Sequence, residues 1–380
     1  MHICFITNKY PNKIDKNKTI FLKKLVDEIA AQGINCSVVC PVPTNINRKY
    51  KHLSMRQKEG DVTIYYPRYF GLGQKNYFGF NPAKITTHFF EKAVEETLNK
   101  EKSLKGVDIF YAHFVTPAGI TAARLGRKYN KPAFLAYGES TSWTIQHFGR
   151  KAVKKELASL AGTIAVSSRN KKMILDYVSP GSVGVFLNAI DTELFKPIDK
   201  KTARRKLGFN EKDFIVSFVG SFDSRKGIDR LETAIDSFGG EVKLAAAGTG
   251  GIVPTSKNCI WNKPVSHNDL PIFYSASDIF VLPTRNEGCC NAIIEAMGCG
   301  IPIISSDKDF NYDILNEANS ILINPEEWKE IRNAIKLLMG NEDLKLKLSK
   351  NALNTAKKLT IKNRAKAIIE FIKEKSKYDK

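Results

Sequence analysis

The sequence has little that would place it in a membrane or outside the cell. No apolar run approaches the roughly 20 residues that a helix needs to cross a bilayer. The apolar stretch within residues 1–7 is too short for the core of a secretory signal peptide. The seven cysteines include no C-x-x-C pair, which argues against a zinc site and is typical of reduced thiols in a cytosol. We therefore expect a cytoplasmic protein.

The glycine fingerprint of dinucleotide-binding proteins is also missing. Residues 1–40 read as a strand over His2–Thr7, a helix from Thr19 to Gly33, and a second strand over residues 35–40. This order is typical of a Rossmann-like half. No G-x-G-x-x-G follows the first strand, so the sequence does not predict NAD or FAD binding. Repeats and low-complexity segments are absent as well.

Negative charge is scarce relative to positive charge. The chain has 59 Lys and Arg against 39 Asp and Glu, a net charge of +20 at pH 7. Such an excess favours a polyanionic partner: nucleic acid, an anionic membrane surface or a phosphorylated substrate. The hydrophobic content of 43% and the charged content of 26% are ordinary for a soluble globular protein. A length of 380 residues predicts two domains.

The most informative stretch is residues 281–307, VLPTRNEGCCNAIIEAMGCGIPIISSD. The apolar run Ile279–Leu282 ends at Pro283, as a buried parallel strand would. Asn291 can cap a helix that ends before Pro302, where the next strand begins. The loop of such a crossover lies at the carboxyl end of the sheet, where open α/β sheets bind ligands.

This loop combines carboxylates with free backbone amides. Glu287 precedes the helix, and Glu295 lies in its second turn. Amides at a helix start suit a phosphate or sugar oxygen, whereas carboxylates accept hydrogen bonds from sugar hydroxyls. The pattern therefore predicts a ligand with both a phosphate and many hydroxyls, although each glutamate taken singly could be an ordinary polar residue. The backbone groups expected at the ligand belong to Gly288, Cys289, Cys290 and Asn291.

A basic pair stands at a second predicted strand end. Residues 220–227 (GSFDSRKG) follow an apolar run over Phe214–Val219, and Arg225 and Lys226 lie beside the next helix start. Basic side chains at this position suit a diphosphate. Such a pair alone is usually a solvated surface feature. The glutamate motif downstream makes us favour a binding role.

Three stretches of the first half have less definite roles. Residues 49–61 are basic, and we predict a mobile insertion there. Residues 65–80 are dense in aromatics and glycine, which indicates either a connector packed on the sheet or a surface facing an acceptor or a membrane. Residues 151–160 (KAVKKELASL) predict a short basic helix whose exposed face is either merely solvated or attracted to an anionic membrane.

The pattern E-G-x6-E-A-M-x2-G-x-P from Glu287 to Pro302 resembles the E-x7-E signature of glycosyltransferase family 4, whose members are retaining enzymes with the GT-B fold. The resemblance extends over nearly the whole chain. It implies an α/β protein with two Rossmann-like, doubly wound domains facing a cleft, and a last helix that crosses back to the first domain. We expect an acceptor-binding domain over residues 1–196, a donor-binding domain over 197–358, and the returning helix over 359–380.

The resemblance also implies residue roles. In that family the first glutamate contacts the donor sugar, the second binds the ribose, and basic residues neutralise the diphosphate. The string DIFYAHF resembles a strand that ends in a histidine near the acceptor, and Tyr137 stands where many relatives have another histidine. The implied catalytic residues are Glu287, Arg225, Lys226 and His113. The donor-binding candidates are Gly220, Ser221, Gly288, Cys289, Cys290, Asn291, Glu295, Lys263 and Val265, the last two through backbone contacts to the base.

The implied reaction moves a sugar from a nucleotide-sugar, UDP-linked rather than GDP-linked, to a hydroxyl of a saccharide or lipid-linked acceptor with retention. Bacterial cell-surface polysaccharide synthesis is the expected setting, with peripheral association at the inner face of the membrane as one option. No DxD-type pair stands in the donor region, so we expect neither metal nor cofactor. Three alternatives stay open: a GT-B nucleotide-sugar epimerase, a glycogen-type phosphorylase, which needs a far longer chain, and a basic nucleic-acid binder. No helix-turn-helix, RRM or zinc pattern supports the last, so we expect no nucleic-acid partner.

Overall fold

The computed structural model describes residues 1–16, 18–73, 75 and 80–377. The chain forms two α/β units: unit 1 comprises residues 1–186 and 364–380, and unit 2 comprises residues 187–363. The sequence had placed these boundaries at 196/197 and 358/359.

The strands are β1 (His2–Thr7), β2 (Asn35–Val39), β3 (Val42–Pro43), β4 (Arg56–Glu59), β5 (Val62–Tyr65), β6 (Arg68–Tyr69), β7 (Ile109–His113), β8 (Ala133–Tyr137), β9 (Gly162–Ala165), β10 (Val183–Val185), β11 (Phe214–Val219), β12 (Val242–Ala247), β13 (Cys259–Asn262), β14 (Ile279–Leu282), β15 (Ile303–Ser306) and β16 (Ser320–Ile323). The α-helices are α1 (Ile20–Ala31), α2 (Pro82–Lys100), α3 (Ile120–Tyr129), α4 (Trp143–Phe148), α5 (Arg150–Leu157), α6 (Ser168–Ile174), α7 (Lys200–Leu207), α8 (Ile228–Asp236), α9 (Leu270–Ser275), α10 (Asn291–Gly298), α11 (Trp328–Met339), α12 (Glu342–Ala356) and α13 (Ile361–Ser376).

Unit 1 is built on a sheet with the order β10-β9-β8-β7-β1-β2-β5-β4. Every pairing is parallel except that of β4 with β5. The central strand β1 is buried along its whole length, which explains its continuous apolar sequence: a parallel strand covered by helices on both faces has no solvent side. The strand at His2–Thr7 and the α/β class are confirmed.

The prediction of a mobile insertion over residues 49–61 was wrong. Residues Arg48–His52 form a 3-10 helix, and Arg56–Glu59 form β4, which pairs antiparallel with β5. The sequence RQKE of β4 has no apolar residue because the strand lies at the edge of the sheet. Charged edge strands are common, since they discourage pairing with other chains.

Unit 2 is built on a wholly parallel sheet with the order β13-β12-β11-β14-β15-β16. The chain adds strands outward from β11 on one side and then from β14 on the other. The strand order therefore reverses between these two neighbours, which pair at Val216 and Ile279. Ligands of open α/β sheets bind at such switch points, outside the carboxyl ends of the strands. The two sequence motifs follow these same two strands.

All but the first three residues of the last helix belong to unit 1. Along α13, Ile368 and Ile372 are fully buried. The Phe371 ring lies 6.2 Å from that of Phe134 and 5.2 Å from that of Phe186. These contacts explain why α13 returns to the first sheet. The returning helix was expected over residues 359–380, of which 378–380 lie outside the described residues.

Candidate active site

Two loops at the switch point of unit 2 are tied together through their backbones. The loop after β11 carries Arg225, whose carbonyl accepts a hydrogen bond from the backbone N–H of Arg285 (2.8 Å). This donor lies in the loop after β14. Arg230 of α8 donates to the carbonyl of Pro283 over 3.0 Å. The two motifs, about 60 residues apart in the sequence, therefore form one structural element.

Gly227 allows this close approach. It has φ +81°, and a Cβ at this position would lie 2.3 Å from the Pro283 carbonyl oxygen. Both the backbone conformation and the space therefore require glycine. Because α8 begins at Ile228, Gly227 sets where that helix starts relative to the loop after β14.

Arg225, Lys226 and Glu287 form a compact charged cluster. The Lys226 Nζ lies 2.6 Å from Glu287 Oε1, and Arg225 Nη1 lies 2.9 Å from the same oxygen. The hydroxyl of Thr284 also donates to it, over 2.9 Å. The side chains of Lys226 and Glu287 are only 11% and 12% exposed, whereas that of Arg225 is 37% exposed. The structure thus brings together three of the four predicted catalytic residues.

The charges in this cluster stabilise one another. Burial by itself would raise the pKa of Glu287, but Lys226 and Arg225 hold that pKa below its ordinary value. Burial likewise opposes the charge on Lys226, yet the neighbouring Cys290 sulfur and the Glu287 carboxylate raise its pKa. Lys226 and Glu287 are therefore both ionised at neutral pH. Asp223 lies 4.0 Å from Arg225, so a second carboxylate also adjoins the two cations. Two cations on neighbouring residues suit an anionic ligand.

Glu295 is held in place by a neighbouring helix. Its carboxylate is 8% exposed and accepts a hydrogen bond from the Tyr274 hydroxyl of α9, 3.0 Å from Oε2. The other oxygen lies 3.7 Å from His267 Nε2. A carboxylate oriented by a buried tyrosine keeps acceptor capacity for the hydroxyls of a ligand. Sequence reasoning missed Tyr274 because its contact with Glu295 spans 21 residues.

The start of α10 differs in detail from the prediction. The N-cap residue is Cys290, whose side chain forms no capping hydrogen bond, and Asn291 is the first helical residue rather than the cap. A cysteine is a poor capping residue, so the N–H groups of the first turn keep the capacity to bind oxygen. The side-chain amide of Asn188 donates to the Cys289 carbonyl over 2.9 Å and fixes this turn. Gly288, the residue before Cys289, is buried.

Gly220 and Ser221 open the loop after β11. A Cβ at Gly220 would lie 3.4 Å from the Lys226 side chain, so the glycine backbone packs along the stem of this lysine. Ser221 is exposed. It stands near the start of a loop that carries both cations.

The predicted base-binding backbone lines a cavity of about 550 Å³ in unit 2. Lys263 and Val265 lie on its wall beside Trp261. The indole N–H of Trp261 donates to the Lys263 carbonyl over 2.8 Å, and the Lys263 ammonium lies over the indole ring. This hydrogen bond uses one of the two lone pairs of the Lys263 carbonyl, so the backbone groups of both Lys263 and Val265 stay candidates for base contacts.

His113, the fourth predicted catalytic residue, belongs to unit 1 and ends β7. It is buried between the rings of Phe21 and Phe114, whose centroids lie 5.3 Å and 4.5 Å away. Burial, reinforced by the nearby Arg364 charge, lowers the pKa of His113 to about 3. The imidazole is therefore neutral at physiological pH and a weak base.

Sequence reasoning also missed Glu139, at the carboxyl end of β8. Its carboxylate accepts the backbone N–H of Val115 over 2.8 Å, which holds the turn after β7. Burial raises the pKa of Glu139 to about 6. Tyr137, two residues earlier, is fully buried. The signal available in the sequence was a carboxylate directly after a predicted strand end.

Within residues 1–16, 18–73, 75 and 80–377, no three His, Cys, Asp or Glu side chains are arranged to hold a metal ion. None of the helices in the described part of the chain combines the length and apolar character needed to cross a membrane.

Comparison with known proteins agrees with this architecture. Residues 199–355, which include both loops of the switch point, match the family described as Glycosyl transferases group 1. Over 353 residues the chain is 25% identical to a putative teichuronic acid biosynthesis glycosyltransferase, TuaC, of Bacillus subtilis (strain 168), with 88% of each chain covered. An uncharacterised glycosyltransferase of Methanocaldococcus jannaschii, MJ1178, is 23% identical over 269 residues, which cover 67% of this chain and 72% of that protein.

Solved structures with the same fold extend the likeness to both units. The sucrose-phosphate synthase of Thermosynechococcus elongatus superposes with a TM-score of 0.79 at 18% identity, covering 98% of each chain. Anabaena Alr3699/HepE, solved in complex with UDP-glucose, superposes with a TM-score of 0.74 at 16% identity, covering 98% of this chain and 100% of that one. These likenesses establish the GT-B fold. Together with the group 1 domain they support glycosyltransferase activity.

Proposed function

We propose that this protein is a retaining glycosyltransferase that moves a sugar from a nucleotide-sugar to an acceptor hydroxyl. The observation that carries the proposal is the cluster at the switch point of unit 2. Arg225 and Lys226 converge on Glu287 there, while Glu295 lies in the second turn of the helix that begins beside it. Cations for a diphosphate and carboxylates for hydroxyls thus occupy one site, as a nucleotide-sugar requires.

The chemistry of the cluster follows from its charges. When the bond between the anomeric carbon and the diphosphate breaks, negative charge grows on the leaving phosphate. Arg225 and Lys226, already oriented by Glu287, stabilise this charge without reorganisation. Glu287 then holds the sugar, and the leaving phosphate assists removal of the proton from the attacking hydroxyl on the same face. This front-face scheme requires no protein base, and it gives retention at the anomeric carbon.

The donor and the setting are inferred from relatives. HepE has been solved with UDP, UDP-glucose and UDP with glucose, which favours a UDP-sugar for this chain. The relative TuaC is named for teichuronic acid biosynthesis, which favours a saccharide or lipid-linked acceptor in bacterial cell-surface polysaccharide synthesis. We propose that the two cations take the part that Mg²⁺ plays in metal-dependent transferases, so turnover should persist in EDTA.

A thermal-shift panel with UDP, GDP, ADP and their sugars tests the donor. A ligand at 100 times its Kd should stabilise the protein by about 2.7 kcal/mol. We expect UDP and one UDP-sugar to raise the melting temperature of the wild type. Glu295→Ala should weaken this effect, and the exposed control Glu317→Ala should leave it intact.

Two outcomes would contradict the proposal. The first is a failure of every nucleotide to stabilise the protein. The second is conversion of a UDP-sugar to its epimer without any acceptor, which would indicate an epimerase on the same fold.

A further inference from the structure

The positive charge of the chain is concentrated in one unit. Unit 1 contains 35 Lys and Arg residues against 16 Asp and Glu, a net charge of +19. Unit 2 contains 24 against 23, a net charge of +1. The donor-binding unit is therefore nearly neutral overall. An anionic partner larger than the donor would be attracted to unit 1.

Unit 1 also exposes large apolar side chains near one another. Six of them are at least 40% exposed: Ile46, Met55, Phe70, Leu72, Phe80 and Trp143. All except Met55 are linked by the contacts described next, and these five form what we call the apolar patch. Isolated exposed apolar residues are normal, but a group of this size that includes three aromatics marks an interaction surface.

The first half of α2 connects the members of the apolar patch. The Thr86 hydroxyl accepts the N–H of Leu72 over 3.0 Å, and the Phe89 ring lies 6.2 Å from that of Phe70. Ile46 adjoins the same segment, since a Cβ at Gly71 would lie 3.1 Å from its Cδ1.

The cap of α2 links Phe80 and Trp143 to this surface. Asn81, directly after Phe80, donates to the carbonyls of His147 (2.9 Å) and Phe148 (3.3 Å) at the end of α4. Trp143 begins α4 and packs on the His147 ring at 4.3 Å. The segments that carry the patch are therefore linked by direct contacts from the β6 region across the start of α2 to α4.

A basic helix follows the patch directly. In α5 the exposed side chains include Arg150, Lys151, Lys154 and Lys155, and none of these four forms an ion pair within the described part of the chain. The one acidic residue of the helix, Glu156, turns toward α3. There it pairs with Arg124 at 2.7 Å and Arg127 at 2.6 Å. The outward face of α5 is therefore wholly cationic.

We propose that unit 1 docks on an anionic lipid bilayer through the apolar patch and the cationic face of α5. Aromatic and aliphatic side chains enter the boundary between headgroups and acyl chains, while neighbouring Lys and Arg attract anionic headgroups. A nucleic acid would be attracted by the same charge but gives no role to exposed Ile46 and Leu72. This inference rests on the proposed function, because docking brings the acceptor-binding unit to a lipid-linked acceptor.

Vesicle flotation tests the proposal with phosphatidylcholine vesicles and with vesicles containing one quarter phosphatidylglycerol. We expect the full-length protein to bind only the anionic vesicles, and high salt to weaken this binding. Replacing Lys151, Lys154 and Lys155 by Gln should weaken binding about fivefold for each charge, and about 100-fold together. Trp143→Ala should weaken binding even where salt already screens the charges. The matched control, Lys336, Lys347 and Lys350 of unit 2 replaced by Gln, should bind like the wild type.

Equal binding of both vesicle types, no binding of either, or equal losses in the test and control variants would overturn the proposal. Salt-sensitive binding of a DNA duplex without vesicle binding would also overturn it and indicate a nucleic-acid partner. The thermal shift with UDP is recorded on the same samples. A UDP response without vesicle binding refutes the docking surface alone, whereas the loss of the UDP response refutes the donor site.

Discussion

The charged cluster of unit 2 makes a quantitative prediction for Lys226→Met, which removes the ammonium and nearly keeps the side-chain volume. Glu287 would then remain buried, with the partly exposed Arg225 still paired to it. Removing one partner of a buried ion pair costs about 3–5 kcal/mol. Because Arg225 still contacts the carboxylate at 2.9 Å, we expect the low end, about 3 kcal/mol. Unit 2 spans residues 187–363, a size at which this loss lowers the melting temperature by about 6–12 °C.

The loss of stability caused by Lys226→Met should depend on pH. In the wild type the folded-state pKa of Glu287 is lowered, so its contribution to stability is present above the unfolded pKa and is lost as the pH falls through the folded one. In Lys226→Met the effect of burial is less opposed, and the pKa of Glu287 rises. Protonation then relieves the buried charge. The difference in unfolding free energy between variant and wild type should therefore be smaller at pH 5 than at pH 7.

Urea unfolding of a double-mutant cycle measures the coupling energy between Lys226 and Glu287 directly. We expect Lys226→Met and Glu287→Gln together to cost about 2 kcal/mol less than the sum of the single changes. The exposed control Lys308→Met should change the free energy of unfolding by no more than about 0.5 kcal/mol. Additive single effects, or a pH-independent cost for Lys226→Met, would refute the assignment of a mutually dependent buried cluster.

Three further variants probe single contacts. Gly227→Ala should cost at least about 3 kcal/mol in urea unfolding, because its Cβ would overlap the Pro283 carbonyl in a strained backbone; a cost below 1 kcal/mol would contradict the loop geometry. Tyr274→Phe should raise the Kd for UDP about tenfold by calorimetry, since Glu295 loses its orienting donor; an unchanged Kd would argue against that role. Wild-type stability should fall as the pH drops from about 6.5 toward 4, because the unfolded chain protonates His113 before the folded protein does. His113→Phe should flatten this dependence in urea unfolding, and an unchanged slope would show that other groups cause it.

The fold and the positions of the two motifs could be predicted because they depend on local patterns. Buried parallel strands show as apolar runs, and ligands of open α/β sheets bind at the loops that follow such strands, which is why the candidate site was expected there. The edge strand β4 could not be found in this way. Its sequence, RQKE, has no apolar residue, and only the pairing with β5 makes it a strand.

The partners that orient the site were invisible for a different reason. Tyr274 and Asn188 act across 21 and 101 residues of sequence, on Glu295 and Cys289 respectively. Neither stands in a pattern that implies its partner. The N-cap was misplaced by one residue because Asn291 is the better capping residue, yet the chain turns into the helix at Cys290. Tertiary packing, rather than local preference, decided these details.

The comparison of UDP with uridine by calorimetry tests the central claim most directly. If Arg225 and Lys226 hold the donor diphosphate, the wild type should bind UDP far more tightly than uridine. Arg225→Gln should raise the Kd for UDP about 10–100-fold, the loss expected for one charge-assisted contact, and should change that for uridine by less than about twofold. An equal effect on both ligands, or none on UDP, would contradict the assignment of this cluster to the diphosphate.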